Sequence, residues 1–287
     1  MLTVNIIGTG AVGQTLGHLF ATHQIATILG VTSRSEANAK VAIQFIGQGA
    51  YYASASELPH ADVTVIATPD HAFATIIPQL MHNTLFQPGA IVVHCSGALT
   101  SDDLAQLRDR DIAVASIHPM MSFKQPRVSV NQFIHIPCAL EGDESTLRKV
   151  TALFTAIGGS VYSIHKDKKA LYHVAAVFAS NYQITLAQQA QQCLLASGLS
   201  EQHARQVVTV IMQSVVDNIR HSSEPKDALT GPIQRGDSIA IQQHLKALSD
   251  DQRLRDLYCV LGRATLPLTH LKEESLQQIA SLLESCA

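Results

Sequence analysis

Short apolar runs alternate with amphipathic stretches through the first half of the chain. Val4–Ile7, Ile28–Thr32, Val63–Ala67, Ala90–His94 and Ala113–Ile117 read as strands, with Tyr51-Tyr52 as a weaker one. Between them Ala11–Thr22, Ala37–Gln48, Ala72–Met81 and Asp102–Arg108 read as helices. The strand runs are apolar throughout rather than alternating, which marks strands buried on both faces of a helix-flanked parallel sheet. Two further strands, Phe133–Leu140 and Ser160–Ile164, bracket a helix at Glu144–Ile157 and extend the same sheet. Past Lys166 the pattern becomes helical. Lys168–Ser197 reads as one long helix whose middle, Val174–Ala179, is apolar on nearly all sides, as in a bundle or between subunits. Ser200–Arg220, Ser238–Leu248, Gln252–Arg263 and Glu273–Cys286 follow, with Gly198 as a C-cap and Ser200 as an N-cap. The expected fold is α/β, a doubly wound Rossmann-type parallel sheet over residues 1–165, followed by an all-helical domain over 166–287.

Composition narrows the function classes. Among 287 residues, 46 % are hydrophobic and 15 % charged, which excludes a disordered chain. Net charge is −3 and no basic block occurs, so neither nucleic acid nor a membrane surface is an expected partner. The five cysteines are scattered without a CxxC pair, which argues against a disulfide framework and a cysteine zinc site. The 14 histidines show no HExxH-like spacing, so no metal is expected. No leader pattern and no apolar run approaching a membrane span of ~18 residues is visible. A reduced, cytoplasmic, soluble protein is expected.

Gly8-Thr9-Gly10-Ala11-Val12-Gly13 fits GxGxxG directly after the first strand and at the start of a helix. The first glycine allows the turn, the second lets backbone approach a pyrophosphate, and the third lets helix pack on strand. Ala11 and Val12 begin the helix whose N-terminus would take the phosphate. An NAD site places an acid at the end of the second strand, whereas Ser33-Arg34-Ser35 stands here. Arg34 with two flanking hydroxyls suits a 2′-phosphate, so NADP(H) is favoured over NAD. A solvated loop charge is the plain alternative for Arg34.

Ligands of such folds gather outside the carboxyl ends of the strands. Thr68 and Pro69 end the fourth strand and are cofactor candidates, while Asp70 suits a helix N-cap. Ser96 and His118 end neighbouring strands, where a hydroxyl can hold a substrate oxygen and an imidazole can move a proton near neutrality. His118 before Pro119 also suits a turn. Cys95 reads as a packing residue. Lys169 and His173 share one helix face, with Asn181 two turns beyond. Such polar groups on an apolar helix need partners, either a ligand or another protein element. In Thr230-Gly231-Pro232-Ile233-Gln234-Arg235-Gly236-Asp237, Arg235 could clamp a substrate carboxylate or pair with Asp237, itself a plausible N-cap.

These segments together, with His94-Cys95-Ser96-Gly97, His118-Pro119-Met120 and Tyr172-His173, resemble a family of Rossmann-like reductases with a helical C-terminal domain of formerly unknown function, labelled NADP oxidoreductase, coenzyme F420-dependent type. More distantly the chain is similar to pyrroline-5-carboxylate reductases, β-hydroxyacid dehydrogenases, prephenate dehydrogenases and ketopantoate reductases. The resemblance implies a homodimer with packed helical domains, and ketopantoate as the leading substrate candidate. It also implies a Lys-x-x-x-Asn helix motif with the lysine as acid. Lys169 fits the first position, but His173 replaces the asparagine. The His-Pro-Met segment resembles that of prephenate dehydrogenase, where such a histidine polarises the substrate. NADP has a use for the Arg34 loop, and F420 has none.

The resulting expectation is an NADPH-dependent reductase of a small 2-keto acid or imine. Lys169, His173 or His118 would supply the proton, Ser96 and Asn181 would orient the oxygen, and Arg235 would hold a carboxylate. The alternative is an NADP-binding sensor or regulatory protein without turnover.

Overall fold

Valine and isoleucine dominate the strand runs, and successive residues of one strand face opposite sides of a sheet. In a computed structural model, which describes residues 1–284, neighbours such as Ile6 and Ile7, Val65 and Ile66, or Val93 and Val92 enter separate cores. Both sheet faces are therefore covered. The strands are β1 (Leu2–Ile7), β2 (Ala26–Thr32), β3 (Ala50–Tyr52), β4 (Val63–Ile66), β5 (Ile91–His94), β6 (Ala113–Pro119), β7 (Pro137–Gly142) and β8 (Ser160–Ser163). They form one eight-stranded sheet in the order β3-β2-β1-β4-β5-β6-β7-β8. Its helices are α1 (Ala11–Thr22), α2 (Glu36–Ile46), α3 (Phe73–His82), α4 (Pro126–Gln132) and α5 (Glu144–Ala156), with a 3-10 helix at Ser101–Arg110.

Two features differ from the expected parallel sheet. β7 runs antiparallel to β6, with Pro119 opposite Cys138, while β8 is parallel to β7. The expected strand also began at Phe133, but β7 starts at Pro137. Phe133 instead caps α4 and is buried in the core. α4 itself escapes the apolar pattern because it is short and opens on Pro126, a residue tolerated in the first helical turn.

The expected single helix from Lys168 to Ser197 is two. α6 (Lys169–Ala179) ends at Ser180, with φ −131° and ψ −71°, and α7 (Asn181–Ala196) restarts at once. The Ser180 hydroxyl donates back to the Ala176 carbonyl at 2.6 Å, local bonding of the kind that bends helices. Asn181 is thus not two turns along the His173 helix but at the exposed start of the next, 2.9 Å from the Ser180 hydroxyl.

The chain divides into compact units at residues 1–181 and 182–287. The first unit extends beyond the expected boundary at 165 because α6 is anchored to the sheet. Lys169 is buried, Tyr172, His173, Ala176 and Val177 are half-buried, and these positions form one face. The second unit holds most of α7, α8 (Glu201–His221), α9 (Ser238–Ala247), α10 (Gln252–Thr265) and α11 (Glu273–Glu284). Its small core joins Ile241, Leu245, Cys259, Leu266, Ile279 and Leu283. Ser200 and Asp237 cap α8 and α9 as expected, and Gly198 adopts φ +96° after α7. Cys259 is disulfide-bonded, a departure from uniformly reduced thiols. The scattered spacing gave no sign of it, and Cys286 lies outside the described residues. No helix among the described residues is long and apolar enough to cross a membrane.

Candidate functional site

The C-terminal edge of the sheet is stapled strand to strand. Gly8 N–H donates to Thr32 O, Ala67 N–H to Ile7 O, and Cys95 N–H to Ile66 O. The loops that follow these strands therefore lie side by side, and the first of them carries the glycine motif. Gly8 has φ +108°, and a Cβ there would lie 2.5 Å from Ala67 O. A Cβ on Gly13 would lie 2.0 Å from Gly8 O, so helix and loop touch backbone to backbone. Gly10 is different, since no atom lies within 4 Å of its virtual Cβ. Its missing side chain leaves open space over the start of α1, and that helix has no side-chain cap. Gln14 Nε2 donates to Thr9 O at 2.7 Å and holds the loop closed from within. Thr9 Oγ1 donates to Ser33 Oγ at 2.9 Å, tying the glycine loop to the loop after β2.

In that second loop Arg34 is exposed and no described acidic group pairs with it. Ser35 is the N-cap of α2 and accepts from Asn38 N–H, so its hydroxyl is partly committed. Across the crevice, Thr68 follows β4 with its methyl against the Gly8 position. Its buried hydroxyl has no hydrogen-bond partner among the described residues. Pro69 is exposed. Asp70 is not the expected N-cap. It is the first residue of a 3-10 turn whose cap position, Pro69, makes no side-chain bond.

Beyond β5 and β6 the side chains draw together with α6. Gly97 lies directly against two imidazoles: its virtual Cβ would sit 2.6 Å from His173 Cδ2 and 3.0 Å from His118 Nε2. The His118 ring meets those of Tyr172 and His173 edge-on, at 5.7 Å and 5.9 Å between centroids. His118 Nδ1 and the Tyr172 hydroxyl are both buried without a partner among the described residues. Burial, with help from His173 and Lys169, pushes His118 down to about 4. It is therefore a neutral hydrogen-bonding imidazole at pH 7, not the near-neutral proton carrier expected from the sequence. Burial raises Tyr172 to about 12, keeping its hydroxyl protonated.

Ser96 converges on the same region by a different route. Its hydroxyl accepts from Ala98 N–H and Leu99 N–H at 3.1 and 3.0 Å, which shapes its own loop. Its proton remains free to donate. Lys169 lies deeper, 1 % exposed. Its Nζ donates to Ser116 Oγ and stands 3.5 Å from Glu141 Oε1. Burial pulls its ammonium below the ordinary lysine range, with Glu141 opposing. Cys95 is a packing residue, its thiol raised to about 12 by burial.

His118, His173 and Ser96 thus gather at one end of the sheet, with Lys169 beneath. Arg235 lies in the second unit, exposed and with no ion pair among the described residues, including none to Asp237. Glu141, Ser116, His94 and Gly97 were not singled out as site residues. The available signal was a single acid closing an apolar strand run, Cys138-Ala139-Leu140-Glu141.

Comparison with protein families places these elements. Residues 1–119 match the family model of a Rossmann-like domain, and residues 136–265 match that of a domain of unknown function, DUF2520. The DUF2520 region contributes β7 and α6, hence Glu141, Lys169 and His173, whereas Ser96, Ser116 and His118 belong to the Rossmann-like part. A crystal structure of protein TM1727 from Thermotoga maritima is similar at 28 % identity and TM-score 0.71, covering 97 % of this chain and 98 % of that one. A crystal structure of the “putative NADP oxidoreductase” BF3122 from Bacteroides fragilis superposes with TM-score 0.76 at 23 % identity, over 92 % of this chain and 97 % of the other. A Plasmodium falciparum pyrroline carboxylate reductase with NADP bound shares the fold at TM-score 0.60 and 16 % identity, covering 98 % of each chain. Comparison with curated proteins finds no match.

Proposed function

We propose that this Rossmann-like, DUF2520-containing chain is an NADPH-dependent reductase of a small carbonyl or imine compound. The observation that carries the reading is the open Gly10 above an uncapped helix start, hydrogen-bonded through Thr9 and Ser33 to the loop bearing an unpaired Arg34. Free N–H groups and the helix dipole favour a pyrophosphate there, and a guanidinium favours the 2′-phosphate. The orphaned hydroxyl of Thr68 and Nδ1 of His118 fit further polar contacts with a ligand, since buried polar groups rarely lack partners. The Plasmodium pyrroline carboxylate reductase, which has NADP bound, supports the same cofactor.

When bound, the nicotinamide supplies the hydride. The chain supplies position and protons. Neutral His118 holds the substrate heteroatom by hydrogen bonding, and His173 beside it delivers the proton as charge develops. Ser96 and Tyr172 donate hydroxyl protons for orientation. The test is NADPH oxidation by purified protein, followed by nicotinamide absorbance. Ketopantoate, pyrroline-5-carboxylate and short 2-keto acids are supplied in turn, with NADH alongside. Turnover with one substrate and NADPH is expected. Tight NADPH binding with silence across the panel would favour a non-catalytic NADP sensor.

A homodimer accompanies this reading. α7 buries no residue and α8, 21 residues long, buries only Ala204 and Val208. Ile184, Val210, Ile211, Val215 and Ile219 stand exposed on these helices, and clustered exposed apolar side chains mark interaction surfaces. A second copy covers it. Sedimentation should give twice the 30.9 kDa chain mass, and Ile211→Glu should shift the species toward monomer.

A further inference from the structure

Beneath His118 and His173 lies a buried polar chain whose direction can be read bond by bond. A carbonyl oxygen only accepts. His94 Nε2, 2.9 Å from Thr100 O, therefore carries the proton. His94 Nδ1 is then the acceptor, receiving Ser96 N–H at 3.2 Å and the Ser116 hydroxyl at 3.4 Å. Ser116, having given its proton to His94, accepts from Lys169 Nζ. Lys169 faces Glu141, and the Glu141 carboxylate takes both Ser101 N–H at 2.8 Å and Ser101 Oγ at 2.7 Å. Both ends of the Cys95–Thr100 loop are thus fastened, by His94 at Ser96 and Thr100 and by Glu141 at Ser101. Between the fastenings sits Gly97, with no space between it and the two histidines.

We infer that Glu141 and Lys169 are positioning residues: a buried ion pair that fixes the Cys95–Thr100 loop, and with it Gly97 against His118 and His173, without delivering the reaction's proton. The catalytic part of this inference rests on the reductase reading. A lysine serving as acid must present its N–H to a substrate, whereas this ammonium is sequestered by a serine and a carboxylate that are themselves buried. Removing one partner strands the other charge in the interior, while removing both leaves no charge unpaired.

The test compares Lys169→Met, Glu141→Gln and the double variant by amide hydrogen exchange over residues 95–101 and by steady-state kinetics. Each single variant is expected to speed exchange in that segment at least tenfold. Each should also lower kcat by roughly 100-fold, the scale of an ångström of misplacement at a reacting centre. The uncharged double variant keeps an acceptor for Ser101 N–H. It is expected to exchange within threefold of wild type and to recover kcat to within tenfold. Unchanged exchange in both single variants would overturn the positioning of the loop. A double variant with a restored loop but kcat as low as in Lys169→Met would overturn the second half and make Lys169 the acid. If the wild-type protein oxidises NADPH with no substrate, the reductase reading fails, and the exchange data still decide the loop.

Discussion

Lowering the pH from 7 to 5 should destabilise the first unit of the ligand-free protein by about 2 kcal/mol for each of two buried imidazoles. Burial pushes both His94 and His118 from 6.5 down to about 4. A histidine held neutral in the fold binds its proton later than it would in the unfolded chain, so acid favours unfolding. Full stability is present above 6.5, and this part of it is lost as the pH falls from 6.5 through about 4. The lowered carboxylates Asp62, Asp102 and Asp143 act in a more acid window and do not blur the first one. Urea unfolding between pH 7 and 5 measures the slope. His94→Gln, whose amide can still donate toward Thr100 and accept from Ser96, should remove about half of it. A slope unchanged by His94→Gln would mean that His94 is not the neutral group its bonds require.

The strands of the first unit were legible because burial on both faces writes an uninterrupted apolar run, and Ile6-Ile7 or Val92-Val93 can only be that. α1 was legible to the residue because the glycine motif fixes its start. Direction was not legible: an apolar run reads alike whichever way it lies, so antiparallel β7 is visible only in its pairing with β6. The break at Ser180 was hidden for a similar reason. The helical pattern runs on through Ser180-Asn181 although both have only modest helix propensity, and α6 ends there with the Ser180 hydroxyl bonded back to Ala176.

For the candidate site, residue types pointed to the right strand ends but not to depth. Lys169 and His173 are four apart and share a face. Yet one is sealed under the sheet edge and the other stands beside His118. The difference comes from Glu141 on β7, which no local pattern links to α6. The His118 imidazole illustrates the same gap, because its composition suggests titration near neutrality and only its enclosure says otherwise.

Replacing Arg34 by aspartate should weaken NADPH binding on the order of 10²- to 10³-fold while leaving NADH binding unchanged or tighter. A hydrogen-bonded charge pair contributes about 1.5–3 kcal/mol, which alone is roughly 10- to 150-fold. The new carboxylate adds repulsion against the 2′-phosphate. Toward NADH the same carboxylate can accept from the free ribose hydroxyl. Arg34 is exposed and no described acid pairs with it, so the exchange should change folding stability by no more than about 0.5 kcal/mol. A change in affinity is then a change in the site and not in the fold. Titration of both reduced nucleotides by fluorescence, at one fixed salt concentration, separates the cases. Equal losses for NADPH and NADH would place Arg34 on the pyrophosphate rather than the 2′-phosphate. Undiminished NADPH affinity would leave the glycine loop as the cofactor's anchor and remove Arg34 from the site.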